Sequence, residues 1–551
     1  MTSTLQTGDR TPVEDADVCV VGAGPAGAVL SYSLARRGHD VVILEAGPRF
    51  DNEERVDRMK RQIHPDRADN EIWDMGGERD AYSASGEHSW PVNQRRVKGV
   101  GGTSLHWGSL VPRMQPKDFE MQSRHGLARD WPFGYEDLRP YYVRVESEIG
   151  VAGDADTPNI APREEPYPMD GFERSHPNRL FEAAGEETGI EINTAPMAIN
   201  KGSYDREECQ GYGTCQFVCP SGAKYSADVH VEKAEAEGAT VRTEVPVQRF
   251  EHGPDGEEVT EAVYKTPDGE TYRQEADIFV AAAGAWETPR LLLLSDSDQY
   301  PDGLANSSGT LGKYFMAHPP ASVIGMLAGE NTVPGAYGPQ VTAAIYQFYD
   351  NNPPENGCVN MFITNTAGPS PATIAIGSEQ FGDDLLETVD SQYGSTLQIN
   401  MNAEMLPRED NRIVLDESKT DNHGNPVLDV QVEPGEYARK GQETGLEAGS
   451  SLVEAIGGTV PYAEGTMTTE HDELGALSKG GYHPLGGTRM GTDPSESVVD
   501  PDLETHDLDN LYISGGGVFV TAGAANPTLT IMALSLKAAD SIHERMSVTH
   551  D

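Results

Sequence analysis

The sequence predicts an α/β fold combined with α+β architecture: a Rossmann-like domain joined to a second domain built on an antiparallel sheet. Three observations predict it. The chain opens with strand, glycine turn, helix and strand in succession. Its middle holds several short β-rich runs separated by polar turns. Its 551 residues exceed what one small core organises, so two domains are expected. With 37% hydrophobic and 24% charged residues, the composition is that of a folded chain rather than a disordered one.

The first element is the apolar, β-branched run Asp17-Val18-Cys19-Val20-Val21, read as a buried strand. It enters Gly22-Ala23-Gly24-Pro25-Ala26-Gly27, continues as a helix through Arg37, and returns as Val41-Val42-Ile43-Leu44-Glu45. Each part serves dinucleotide binding. Gly22 permits the tight turn, Gly24 lets a pyrophosphate approach the backbone, and Gly27 lets helix and strand pack closely. The helix N-terminus stabilises the phosphates, and Glu45 stands where it can bond a ribose hydroxyl. Alone the glycine pattern is weak; framed by strand, helix and acid it is a strong signal. It does not separate FAD from NAD.

The remaining elements follow in order. Residues 13–112, 201–300 and 470–551 are expected to form one discontinuous nucleotide domain, with strands at Ala239–Val245 and Asp277–Ala282 and a last helix over Thr528–Met546. Residues 301–469, together with a cap or lid over 113–200, are expected to form the substrate domain. Its strand candidates are Val323–Met326, Gln340–Tyr349, Val359–Thr364, Thr396–Met401 and Arg412–Asp416, with a turn at Asn351-Asn352-Pro353-Pro354. No internal repeat is visible.

A second glycine segment, Gly99-Val100-Gly101-Gly102-Thr103-Ser104-Leu105-His106-Trp107-Gly108, adds to the first. Further along come Asp130-Trp131-Pro132-Phe133 with Tyr141-Tyr142, Ala283-Gly284-Ala285 with Thr288-Pro289-Arg290, His483-Pro484-Leu485-Gly486-Gly487-Thr488-Arg489-Met490-Gly491, and Ala525-Asn526-Pro527-Thr528. In these motifs and their order the chain resembles the glucose–methanol–choline (GMC) oxidoreductase family over nearly its whole length. The branch resembled is that of pyranose oxidase, gluconate dehydrogenase and the FAD-dependent glucose and fructose dehydrogenases. Asp410-Asn411-Arg412-Ile413-Val414-Leu415 resembles the family's substrate domain.

The resemblance implies a Rossmann-like FAD-binding domain plus a substrate domain on an antiparallel sheet. It implies an FAD-dependent dehydrogenase that oxidises a CH–OH group of a sugar, sugar acid or polyol by hydride transfer to flavin N5. Gly22, Gly24, Gly27, Glu45, Gly101, Gly102, Thr103, His106, Gly515, Gly516, Asn526 and Thr528 would hold the flavin. Ser104-Leu105-His106-Trp107 is similar to the segment whose histidine carries a covalent flavin bond in several relatives. His106 is therefore either an attachment point or a histidine packed beside the flavin. One departure stands at Ile513-Ser514-Gly515-Gly516-Gly517, where Gly515 replaces an aspartate common in the family and leaves backbone amides to serve the flavin.

Removing a hydride from a carbinol carbon needs a base for the hydroxyl proton, placed within hydrogen-bond reach and with a pKa near working pH, which favours histidine. His483 is similar to the family's catalytic histidine. Asn526 matches the second family position, where an amide holds the substrate oxygen and stabilises developing charge but takes no proton. His64, His88, His318 and His506 are read as structural histidines. No zinc-protease or serine-hydrolase motif is present.

Of five cysteines, three lie close together as Cys209, Cys215 and Cys219, followed by Pro220 on a loop with Gly211, Gly213 and Gly222. Three thiolates there can wrap a small inorganic core, and no fourth ligand at zinc spacing is apparent. The alternatives are free thiols or one disulfide and a spare. The resemblance favours a [3Fe-4S] cluster, hence a dehydrogenase passing electrons to a cytochrome, a quinone or a small partner subunit. Competing readings are an oxidase that makes hydrogen peroxide and an FAD electron-transfer subunit that turns over no alcohol.

Forty-one basic against 89 acidic residues leave a net charge of −48, with the acids spread along the chain. That balance argues against nucleic acid and anionic membranes as partners. It exceeds the magnitude of about 2–8 usual for a small soluble domain, and so predicts a protein suited to concentrated salt, where at about 1 M the Debye length is only ~3 Å. No run of roughly 18 apolar residues suggests a membrane span. The polar start has no secretory pattern, so a cytoplasmic location is expected, with export alongside a signal-bearing partner subunit as the alternative.

Overall fold

A computed structural model of the chain describes residues 9–63, 72, 78–86, 90–216, 218–327, 337–350, 354–366, 368–465 and 481–549. Two sheets organise it. The first is parallel, with the strands in the order Leu511–Ile513, Ile278–Ala281, Val18–Val21, Val41–Leu44 and Thr240–Arg242. Its four-residue strands are buried along their whole length, as continuous apolar runs are when helices cover both faces of a parallel sheet. Helix Pro25–Ala35 leaves the first strand and packs against Asp228–Ala236 and the C-terminal helix Thr528–Thr549. This is the Rossmann-like arrangement that the opening motif predicts.

The second sheet has six strands in the order Thr459–Gly465, Pro320–Met326, Thr396–Ala403, Val359–Thr364, Val341–Ile345 and Asn193–Thr194, each pair antiparallel. Its two faces differ because side chains alternate along a strand. Val323, Ile399, Met401, Ile363 and Leu397 point to one face and form a core with Leu452 and Val453 of helix Gly435–Ala455. That helix comes close because Gly441, Gly445 and Gly449 face the sheet; a Cβ on Gly441 would stand 2.7 Å from the Cys358 carbonyl oxygen. The opposite face carries Ser322, Ile324, Phe362, Thr364, Gln398, Asn400 and Asn402. Ser322, Asn400 and Phe362 align in one row across three strands, and Ile324, Gln398 and Thr364 in the next.

Several expectations need correction. The run Gln340–Tyr349 is a shorter strand, Val341–Ile345, followed by the helix Gln347–Asp350. Arg412–Thr420 does not join the six-stranded sheet. It pairs with Pro426–Gln431 as a separate hairpin that packs against helix Gly284–Leu293, where Arg290 reaches Asp421 at 2.7 Å. The segment 113–200 is more than a lid, since it holds helices Tyr135–Ile149 and His176–Thr188 and lends Asn193–Thr194 to the six-stranded sheet. A three-stranded meander over Val247–His252, Val259–Lys265 and Thr271–Glu275 lies within the nucleotide portion and was not expected. Asn351, Asn352 and Pro353 of the expected turn, the proposed boundary at 470, and His64 and His88 lie outside the described residues.

Candidate active site

The polar face of the six-stranded sheet and the carboxyl ends of the parallel strands line one cavity of about 910 Å³. Its nucleotide side is built from the glycines. Gly22 takes φ +110, and a Cβ there would stand 2.6 Å from the Ala282 carbonyl oxygen. Gly27 lies so close to the turn that a Cβ would come within 2.0 Å of the Gly22 oxygen. Gly24, by contrast, has open space where a side chain would be, so its backbone faces the cavity. Pro25 at the first helical position suits a helix N-terminus, where its missing N–H costs nothing. Glu45 is buried, its carboxylate accepting from the Ala23 and Gly47 amides, both at 2.9 Å. Burial raises its pKa, and the two amides oppose that rise.

The second glycine segment closes onto the first: Gly102, at φ +52, sits so that a Cβ would meet Gly24 Cα at 2.9 Å. Thr103 is exposed to the cavity and His106 lines it. Burial first, then the charges of Lys224 and Arg95, push the His106 imidazole down to about 3, so the ring is neutral. Gly101, at φ +102, supports the turn behind them without lining the cavity. Gly515, at φ +141, and Gly516 bound the cavity on another side, and Asn526, Pro527 and Thr528 bring the last helix to it. The residues therefore fit a dinucleotide: an open Gly24 backbone, a buried acid, two helix N-termini and a buried Asn526 Oδ1 with no hydrogen-bond partner.

His483 and Asn526 meet at this cavity, with Asn526 Nδ2 3.3 Å from His483 Nε2. His483 takes φ +63, an uncommon conformation for a residue with a side chain. Burial, His318 and Arg95 hold its pKa well below the usual histidine range. The reading of His318 as a plain structural histidine is incomplete: its Nδ1 lies 2.9 Å from His483 Nδ1. His506 bonds Ser497 at 2.9 Å and does not line the cavity.

Sequence reasoning also missed the wall facing the nucleotide side. Asn400 is held by Ser322 and Thr364, both at 2.7 Å, and Gln398 Nε2 donates to its Oδ1 at 3.1 Å. The buried Asn402 Nδ2 has no hydrogen-bond partner. The three central strands present no charged side chain to the cavity. Several charged groups lining other parts of it are paired, as Lys98 is with Asp80 at 3.2 Å and Arg290 with Asp421 at 2.7 Å, while Arg95 stacks on Tyr482 at 4.0 Å. Alternating polar residues in two predicted strands were the available signal, although alternation alone does not say which face meets a ligand.

Cys209, Cys215 and Cys219 form no disulfide and lie on a loop whose Gly211, Gly213 and Gly222 all take positive φ. Burial pushes Cys215 up to about 12. The donor chemistry suits iron and sulfide, yet among the described residues no three His, Cys, Asp or Glu side chains are gathered as a metal would need them. The loop nevertheless abuts the flavin segment. The Lys224 amide donates to Cys219 Sγ at 3.4 Å, while its Nζ donates to the Leu105 and Trp107 carbonyls at 3.0 and 3.1 Å on either side of His106.

A dinucleotide cradle facing a histidine–amide pair defines the class: a cofactor-dependent oxidoreductase acting on a small molecule. Family models described as GMC oxidoreductase match residues 19–320 and 407–535. The chain belongs to the GMC oxidoreductase family and is an FAD-dependent enzyme acting on CH–OH donors. It is 33% identical to the fructose dehydrogenase large subunit of Gluconobacter japonicus, over 96% of this chain and 97% of that one. It is 30% identical to the 2-methyl-1,2-propanediol dehydrogenase of Mycolicibacterium austroafricanum, over 98% and 97%. Its fold matches a formate oxidase of Aspergillus oryzae with a TM-score of 0.66 at 15% identity, covering 98% of this chain and 99% of that one.

Proposed function

We propose that the chain is a dehydrogenase of neutral, polyhydroxylated substrates, a sugar or polyol rather than an aldonate or a simple alkanol. The observation that carries this reading is the wall of uncharged donors and acceptors that lines the same cavity as the His483–Asn526 pair. Amides and hydroxyls can bond several substrate hydroxyls at once, and an alkanol would leave the Asn402 Nδ2 unsatisfied at a cost of about 1–3 kcal/mol. Bound FAD supplies the acceptor for the carbinol hydrogen. His483 Nε2 takes the hydroxyl proton, while Asn526 holds the oxygen in register and stabilises its growing charge. Gln398, Asn400 and Asn402 orient the remaining hydroxyls.

In this reading Gly22, Gly24, Gly27, Glu45, Gly101, Gly102, Thr103, Gly515, Gly516 and Thr528 hold the flavin, and His106 is its covalent attachment point. Cys209, Cys215 and Cys219 are the thiols an iron–sulfur cluster would take, and to hold it they would have to gather more closely than they stand here; such a cluster would supply one-electron transfer toward a partner. The first relative's designation as a large subunit supports a small subunit for this chain too, with a cytochrome or quinone beyond it.

The test is anaerobic bleaching of the bound flavin by a panel of neutral sugars, polyols, aldonates and straight-chain alcohols. Preferential reduction by sugars or polyols is expected. A preference for aldonates would point to Arg95 as a carboxylate partner and overturn the neutral assignment; a preference for alkanols would overturn the role of the amide wall. Iron and sulfide analysis of the same sample checks the thiol site. About three irons per chain support it, whereas none, with peroxide formed in air, would make the enzyme an oxidase. Flavin that stays with acid-precipitated protein supports the bond at His106.

A further inference from the structure

The histidine pair carries an inference about how the base is set. It rests on the proposed role of His483. Strand Met316–His318 runs antiparallel to Tyr482–Leu485, with Met316 opposite Leu485 and His318 opposite Tyr482. Between those pairs the register slips by a bulge, a device that re-aims a side chain. Together with the φ of +63 at His483 it brings two imidazoles edge to face, with centroids 5.0 Å apart and Nδ1 2.9 Å from Nδ1.

Two imidazole nitrogens at that distance need one proton between them, and either nitrogen of a neutral histidine can carry it. The surroundings of His318 decide which ring does. His318 is fully buried, and burial pushes it down to about 4, so the ring is neutral and holds a single proton. Its Nε2 faces the Ala522 carbonyl oxygen at 3.4 Å. A carbonyl only accepts, so the proton sits on Nε2 and His318 Nδ1 is bare. The proton between the rings therefore belongs to His483 Nδ1, which leaves His483 Nε2 bare. That is the nitrogen beside Asn526, whose amide N–H stands 3.3 Å away and caps it until a substrate hydroxyl takes that place.

We propose that His318 is a positioning residue that holds His483 in its Nδ1–H tautomer, so that the Nε2 lone pair faces the substrate hydroxyl. When Nε2 takes the hydroxyl proton, the Nδ1–H bond to His318 persists and becomes charge-assisted, which stabilises the imidazolium. One loop fixes both ends of this device, because Ala522 supplies the acceptor for His318 and Asn526 the donor for His483. That loop is braced from beneath. The Ala525 amide donates to Tyr349 Oη at 3.1 Å, and Tyr349 donates to Asp118 at 2.6 Å. Asp118 in turn is bonded by Lys117 at 2.8 Å, all in the interior.

The experiment is anaerobic stopped-flow reduction of the flavin by the best sugar or polyol, in His318→Leu, His318→Asn and His483→Ala. Loss of tautomer control in a comparable histidine device lowers turnover on the order of 10⁴-fold. His318→Leu is expected to slow reduction by ~10²-fold or more, with substrate affinity changed less than about 3-fold. His318→Asn places an amide oxygen near the lost Nδ1 and is expected to recover at least ~10-fold over Leu. A wild-type rate in His318→Leu, or equal defects in Leu and Asn, would overturn the proposal. A wild-type rate in His483→Ala would overturn the base assignment beneath it, whereas a slow His483→Ala beside a fast His318→Leu would overturn only the positioning role. Nitrogen-15 spectra of the histidine-labelled holoenzyme, assigned with His483→Gln, decide the matter without a folded Leu variant: protonated Nδ1 on His483 is expected, and protonated Nε2 would refute it.

Discussion

His106, His318 and His483 all lie deep enough that burial lowers the pKa of each, to about 3 and about 4 for the first two. Their chemistry and their stability consequence share this cause. A neutral imidazole has a lone pair to offer as base or nucleophile at neutral pH. The same depression means that the unfolded chain binds protons the folded one refuses as pH falls below about 6.5. The sign is that of folded values below unfolded ones: the stabilisation is complete above about 6.5 and drains as pH falls toward the folded values. Buried carboxylates with raised values, such as Glu45, act in the opposite sense and offset part of this effect. The thermal midpoint is therefore expected to fall between pH 7 and pH 5, and less steeply in His318→Asn. A midpoint flat over that range would show that these rings are not held neutral by the fold.

At the scale of elements, the glycine turn and its helix work as one unit, because the close approach of Gly27 to the Gly22 carbonyl aims the helix N-terminus at the cavity. Gly27→Ala would place a Cβ 2.0 Å from that oxygen, and backbone cannot swing aside as a flexible side chain can. The helix must lift from the first strand. The variant is expected to purify largely without flavin while keeping its helical circular dichroism; full flavin content by absorbance would contradict the close packing. The six-stranded sheet works by a similar division. Its apolar face is held by the glycines of helix Gly435–Ala455, which leaves the polar face free to meet the substrate.

For the whole molecule the dominant quantity is charge. Ion pairs such as Arg36–Glu148, Arg49–Glu235 and Arg273–Glu261 engage basic residues at the surface, but 41 cations do not balance 89 carboxylates. The surplus acids repel one another across the surface. Salt screens that repulsion, with a Debye length of about 10 Å at 0.1 M and ~3 Å at 1 M. The thermal midpoint is therefore expected to rise from 0.1 to 2 M potassium chloride, with sodium chloride giving a comparable rise. A midpoint that is unchanged or falls would show that the surface does not limit stability. Among the described residues no helix is long and apolar enough to cross a membrane.

The amino-acid sequence by itself determined the features that depend on neighbours in the chain. The turn glycines, Glu45 at the end of its strand and the segment opened by His483 are local patterns, legible because a tight turn or a helix start is settled within a few residues. Even Asn526, 43 residues from His483, was legible because each stands in its own short motif. Tertiary structure alone decided what chain-distant contacts create. His318 lies 165 residues from His483 and carries no motif, so only the pairing of two short strands shows that it touches the base. The alternation of Gln398 and Asn400 was readable as a strand, but which face meets the cavity depends on a helix that follows it in the chain. The run Arg412–Asp416 was legible as a strand, while its partner was set by the register with Pro426–Gln431 and by packing against Gly284–Leu293. Strand propensity is local; strand pairing is a property of the folded chain.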